Sequence, residues 1–242
     1  MLPNDDVDEL KLSKDEFKLR GKVYRVVRGL YDLSASNFDV RLYECDGQYV
    51  VVKCIESPEN QYHRGEFDST LLRKYGTLYD SSILKVESKM CDGKAIVIAK
   101  YEGNNFRQIR NKMQDTDVTV SIVIQLMFQI TCTLKTMHDN GLVHRDVKPS
   151  NVFGSIEHGI VRAVLGDLGL VIDKFSHGAT DSSNSSHDTD GNNHQETSSR
   201  NIGTLGFQAP EVKEDPNSIK RKSDIWSLGK LFNCCVFTFM KE

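Results

Sequence analysis

Two kinds of hydrophobic periodicity divide the chain. From Lys22 to Ile55 the apolar residues come in short runs rich in Val and Tyr, "KVYRVVRGL", "NFDVRLYEC" and "QYVVVKCI", which predict three strands. Asp46 and Gly47 stand between the last two as a hairpin turn, so an antiparallel meander is expected. "RGEFDSTLLRKYG" returns to helical spacing and is closed by Gly76, and "SILKVESKM" and "KAIVIAKY" predict two more strands around Asp92 and Gly93. From Val118 onward the pattern is mainly helical, with Val123, Met127, Ile130, Leu134 and Met137 on one face. The fold class expected is α+β: a small antiparallel-sheet lobe with one helix over residues 21–99, then a mostly helical lobe over 100–242.

Two segments carry no such pattern. Residues 1–20 are acidic, then mixed, and are expected to form a loose extension or an edge segment. Residues 176–200 hold no aromatic and no aliphatic side chain larger than Ala, so they cannot bury enough surface to offset the entropy of ordering, and a disordered insert is expected. His177, His187 and His194 in that insert have spacings that fit no compact metal site.

Composition narrows the partners. A net charge of -3 over 242 residues gives no general attraction to nucleic acid or to anionic lipid. The apolar run "VTVSIVIQLMFQITCTLKTM" is interrupted by Gln125 and Gln129 and reads as a buried helix rather than a membrane span. Six cysteines without a C-x-x-C pair, and an N-terminus without an apolar signal core, point to reduced thiols in cytosol or nucleus.

Candidate chemistry is concentrated in "LVHRDVKPSNVF", Leu142 to Phe153, which packs His, Arg, Asp, Lys and Asn between apolar residues. The stretch resembles the catalytic loop of eukaryotic protein kinases, H-R-D-x-K-P-x-N, and the resemblance continues in order. "DLG" at Asp167 to Gly169 stands where the family has D-F-G. It is followed by Gly203-Thr204, by "APE" at Ala209 to Glu211 and by "DIWSLG" from Asp224, so the likeness covers nearly the whole chain from about residue 22. It implies a two-lobe kinase fold, with ATP and Mg2+ as cofactors and a protein as substrate.

Phosphoryl transfer needs little covalent help and much positioning of charge. The resemblance makes Asp146 the group that accepts a proton from, or orients, the substrate hydroxyl, and sets Lys148 beside the transferred phosphoryl group. It makes Asn151 and Asp167 the metal ligands, and Lys53, in "YVVVKCI", the contact to the nucleotide phosphates. Ile98 would line the back of the adenine pocket, with backbone groups of Ala99 to Tyr101 on the adenine edge. Lys148 together with Thr204 resembles the serine/threonine-specific pattern. Arg145 resembles the arginine that receives a phosphorylated activation loop, for which the insert offers Thr180, Ser182, Ser183, Thr197, Ser198 and Ser199.

Four departures from the family stand beside this. The phosphate-covering loop G-x-G-x-x-G-x-V has its glycine positions filled by Leu33, Ala35 and Phe38, although Ala35 between Ser34 and Ser36 keeps the loop small. With Leu71 and Leu72 facing the core, the helix carboxylate expected to pair with Lys53 is Asp68, Glu66 being the other candidate on a different face. Leu168 replaces the family's Phe. The chain stops 31 residues after Glu211, where kinase domains continue through further helices that supply an arginine partner for this Glu. That ending predicts that Trp226, Leu228, Leu231, Phe232, Val236 and Phe237 lose their cover and leave an apolar helix for a partner.

The expected activity is therefore serine/threonine protein kinase. The alternative is a kinase-like regulatory or binding module, or a truncated product, with weak or no catalysis. Some features, "GLVHRDVKPSNVF" and the polar insert among them, also resemble the kinases of the alpha subunit of translation initiation factor 2.

Overall fold

The computed structural model describes residues 11–13, 15–27, 39–56, 65–66, 68–78, 82–112, 120–174, 203–215 and 220–239. The three loop positions Leu33, Ala35 and Phe38, and the insert at 176–200 with its Ser and Thr residues, lie outside them.

Strands β1 (Lys11–Leu12), β2 (Glu16–Leu19), β3 (Lys22–Val26), β4 (Asp39–Cys45), β5 (Gln48–Ile55), β6 (Val86–Cys91) and β7 (Lys94–Lys100) form an antiparallel sheet in the order β1-β2-β3-β4-β5-β7-β6. Hairpin turns sit at Asp46-Gly47 and Asp92-Gly93, all four residues at positive φ, the tight-turn chemistry that the sequence announces. Of the two expectations for the N-terminal segment, its described part follows the edge segment, with β1 at the sheet's edge. Phe17 is fully buried against Tyr24 and Tyr43, whose hydroxyl donates to the Ser13 carbonyl, and β1 and β2 belong to the sheet.

Helix α1 (Ser69–Thr77) packs Leu71 and Tyr75 into the same core as the second lobe. Its boundaries differ from the expected ones: Gly65 and Glu66 lie before it in a separate 3-10 turn, and Gly76 is inside it. Residues 82–85 of the "SILKVESKM" run precede β6. They bond instead to the end of β11 (Ile160–Leu165), with Leu84 N–H on the Leu165 carbonyl at 2.8 Å, and so tie the two lobes together.

Beyond residue 103 come β8 (Asn104–Asn105), α2 (Phe106–Lys112), α3 (Val120–Asp139), β9 (Leu142–Val143), β10 (Val152–Glu157), β11, β12 (Ile172–Asp173), α4 (Pro210–Glu214) and α5 (Arg221–Phe239). Helix α3 is the centre of this lobe, with Leu126, Ile130, Leu134 and Met137 almost wholly buried, each worth about 1.5–3 kcal/mol of transfer free energy. Its two glutamines act as strand partners. Gln125 bonds the Gly159 carbonyl and Val161 N–H, and Gln129 the Val161 carbonyl and Ala163 N–H, at 2.8–3.1 Å, which satisfies the open edge of β11.

Helix α5 corrects one expectation. Leu228 and Leu231 are buried in the core and Val236 packs against it, whereas Trp226 and Phe232 are exposed as expected, with Ile225 beside them among the described residues and Lys230 lying over the Trp226 ring. The Phe237 side chain lies outside the described residues. Spacing alone could not decide which stripe faces inward, because α5 is apolar on both sides.

Candidate active site

The catalytic-loop residues lie between β9 and β10, on a strand end that leads into a 3-10 turn at Pro149–Asn151. The loop is held from below by Asp224, almost fully buried in the first turn of α5. Its carboxylate accepts the backbone N–H groups of His144 and Arg145, both at 2.8 Å, and the His138 Nε2–H at 2.8 Å. Arg145 sits at φ 74°, a left-handed conformation that costs a non-glycine residue about 1–3 kcal/mol; the Asp224 bonds offset it. His144 is fully buried. Its Nδ1 accepts the Asp146 N–H at 3.3 Å, so Nε2 carries the proton and donates to the Gly166 carbonyl at 3.2 Å. One imidazole thereby fastens the catalytic loop to the segment that carries Asp167.

Asp146 gathers three partners around a buried carboxylate. Asn151 Nδ2 donates to Oδ2 at 3.0 Å and to the Asp146 carbonyl at 2.9 Å. Lys148 Nζ lies 2.7 Å from Oδ2, and the Thr204 hydroxyl donates to Oδ1 at 2.8 Å while accepting from Lys148 at 2.6 Å. Thr204 reaches this position because Gly203, at φ 93°, packs against the Arg145 carbonyl, where a Cβ would lie 2.8 Å from the oxygen.

Across the cleft, Lys53 extends from β5, paired with Val40 on β4 and Val97 on β7. Its ammonium bonds Glu66 Oε2 at 2.7 Å and stands 3.5 Å from Asp167 Oδ1. Here the expectation about Asp68 is corrected. Asp68 is the N-cap of α1, its carboxylate accepting from Thr70 and Leu71 N–H, and Glu66 supplies the pairing carboxylate. Helical face-counting back from Leu71 fails because the helix begins only at Ser69, so a residue in the preceding turn lies off the helical wheel.

Burial by itself would lower the Lys53 pKa, but Glu66 and then Asp167 outweigh it and hold the ammonium above its ordinary value. Burial pushes the Glu66 carboxyl up, against the pull of Lys53. For Asp167 burial also acts upward, yet the Lys53 and then the Lys148 ammonium hold it below the usual carboxylate range. Asp167 is therefore an ionised carboxylate with 43% of its side chain exposed to the cleft, at a left-handed φ of 58° that Asp tolerates. With Asn151, whose amide nitrogen is committed to Asp146, it offers oxygen donors of the kind a Mg2+ ion takes. Leu168 fills its position as a fully buried side chain.

The remaining assigned residues are more scattered. Ile98 is buried opposite Val52, and Ala99 is paired on both sides within the sheet. The Tyr101 N–H already donates to the Tyr49 carbonyl at 3.1 Å, so the adenine-edge donor expected there is engaged within the protein. Glu211, exposed on α4, accepts from the Ser223 hydroxyl at 3.2 Å. Ala35 lies outside the described residues. The sequence reading assigned no role to Asp224 or His138; the available signal was a carboxylate heading the apolar run "DIWSLG" and a histidine ending α3.

Serine/threonine-protein kinase TOS3 of Saccharomyces cerevisiae is 35% identical over 136 residues, covering 52% of this chain and 22% of the yeast protein. The eIF-2-alpha kinase GCN2 of Arabidopsis thaliana is 33% identical over 114 residues, covering 44% of this chain and 8% of that protein. The chain thus spans about a fifth or less of the length of these two relatives. Among solved structures, the yeast RNA Pol II CTD kinase CTDK-1 complex contains a chain that superposes with a TM-score of 0.61 over 89% of this chain and 62% of its own, at 16% identity, a likeness of fold alone. The protein kinase domain profile matches residues 42–240. The chain belongs to the protein kinase family.

Proposed function

We propose that the chain transfers the γ-phosphate of magnesium-ATP to Ser or Thr hydroxyls of protein substrates. The observation that carries the reading is the buried Asp146 carboxylate with Lys148, Asn151 and Thr204 all within 3.0 Å of it. Asp146 orients the acceptor hydroxyl and takes its proton as the new O–P bond forms and the bond to the ADP oxygen breaks. Lys148 stabilises negative charge on the phosphoryl oxygens in transit, and Thr204 keeps Lys148 and Asp146 in register. Lys53, kept charged and aimed by Glu66, contacts the phosphates of the nucleotide. Asn151 and Asp167 would hold magnesium, which would supply neutralisation of the phosphate charge. The six free cysteines suit a reducing compartment, cytosol or nucleus.

A second reading, a kinase-like module that regulates or binds without turnover, is favoured by the engaged Tyr101 amide, which removes one donor from the nucleotide edge. Labelled ATP with magnesium, offered with Ser, Thr and Tyr peptides and with the alpha subunit of initiation factor 2, separates the two. Transfer to Ser or Thr that disappears in Asp146→Asn supports the kinase. Transfer that survives the substitution, or goes to Tyr alone, sinks it, and nucleotide binding without transfer supports the module.

A further inference from the structure

The 3-10 turn that carries Glu66 has no room for a side chain at the residue before it. A Cβ on Gly65 would lie 1.9 Å from the Leu168 carbonyl oxygen and 3.0 Å from both the Gly169 carbonyl oxygen and the Val171 N. Backbone therefore rests directly on backbone at the start of the segment after Asp167. The Tyr75 hydroxyl, buried in α1, donates to the Gly65 carbonyl at 3.0 Å. Burial, then the nearby Glu66, Asp68 and Asp173 carboxylates, push the Tyr75 phenol well above its ordinary pKa, so it remains a donor. The neighbouring Lys74 donates to the buried Asp173 carboxylate on β12 and to the Asn140 carbonyl, which anchors the helix end from which Tyr75 reaches.

We propose that Gly65 and Tyr75 are positioning residues for the Lys53–Glu66 pair: the bare Cα at 65, held by the Tyr75 hydroxyl, sets the depth at which Glu66 enters the cleft. Neither residue touches nucleotide or acceptor. Both act through Glu66, which is bonded to Lys53 at 2.7 Å. A side chain at 65 pushes the turn off the Leu168–Val171 backbone and withdraws the carboxylate. Loss of the Tyr75 hydroxyl frees the turn without adding bulk.

The rate effect rests on the kinase reading, so the deciding readout is independent of it: the Lys53 side-chain ammonium resonance in 15N-lysine-labelled protein, assigned with Lys53→Arg. In the parent, the 2.7 Å bond to Glu66 is expected to slow hydrogen exchange of this ammonium. Gly65→Ala and Tyr75→Phe are expected to move the resonance toward its position in Glu66→Gln and to speed its exchange, while Val161→Ala, a core change away from the turn, leaves it in place. In parallel, Gly65→Ala is expected to lower kcat by roughly 10²-fold and to cause no further fall in the Glu66→Gln background. Parental Lys53 resonances in folded Gly65→Ala and Tyr75→Phe overturn the proposal, and if Gly65→Ala does not fold, Tyr75→Phe decides alone. A parent that transfers no phosphate removes the kinase reading and leaves the resonance to judge the positioning role.

Discussion

The two walls of the cleft are built differently. The Asp146 wall is a continuous stretch of chain, His144 to Asn151, whose backbone is gripped by a buried carboxylate and a buried imidazole. The Lys53 wall joins a strand, a 3-10 turn and the Asp167 segment, held by side-chain ion pairs and by the close seat of Gly65 under the Tyr75 hydroxyl. In the first, loss of one anchor leaves buried amides without acceptors; in the second, loss of Glu66 leaves Lys53 still beside the partly exposed Asp167 carboxylate. The catalytic-loop wall should therefore govern stability together with rate, and the lysine wall mainly rate.

Asp224→Ala tests the first half most severely. Two buried N–H groups and His138 lose their acceptor, and urea unfolding should report a loss of about 2–6 kcal/mol. A midpoint that hardly moves would break the comparison. Glu66→Gln comes next. Initial-rate kinetics should show a fall of about 10²-fold in kcat, with the urea midpoint shifted much less than in Asp224→Ala. Asp68→Ala sharpens the assignment of the pairing carboxylate: the helix cap is worth about 0.5–2 kcal/mol, and kcat per folded molecule should stay at the parental value. A large loss of kcat here with intact Glu66 would return the pairing role to Asp68.

The smallest effect concerns acid. The Asp167 carboxyl is depressed in the folded protein, so its contribution is present above the unfolded value near 3.8 and is lost as pH falls through the folded pKa. Urea midpoints measured from about pH 5 to pH 2 should fall more for the parent than for Asp167→Asn. The difference should stay under about 1 kcal/mol, because the side chain is partly solvated. Equal acid sensitivity in the two proteins would show that Lys53 and Lys148 do not hold this carboxylate.

Much of this was legible in the residues themselves, for local reasons. Short apolar runs marked β4, β5 and β7, Asp-Gly pairs marked their turns, and the 3.6-residue spacing marked α3, because each pattern is set by neighbours a few positions apart. Asp146, Lys148 and Asn151 are close in sequence, so their convergence needs only a short turn. The departures arose where partners are distant. The two glutamines that interrupt α3 find their use only against β11, and Phe17 becomes a core residue only once the meander folds over it.

The sequence by itself determined the two-lobe order of elements and the identity of the catalytic loop, since both rest on periodicity and on spacings within one segment. Tertiary structure alone decided that Glu66 rather than Asp68 meets Lys53, that Asp224 carries the loop, and that Tyr101 turns its amide to Tyr49. Each of those is a contact across more than 10 residues of chain, chosen by where a helix happens to begin or a strand to end. Such choices depend on the packing of the whole core, and no local pattern encodes them.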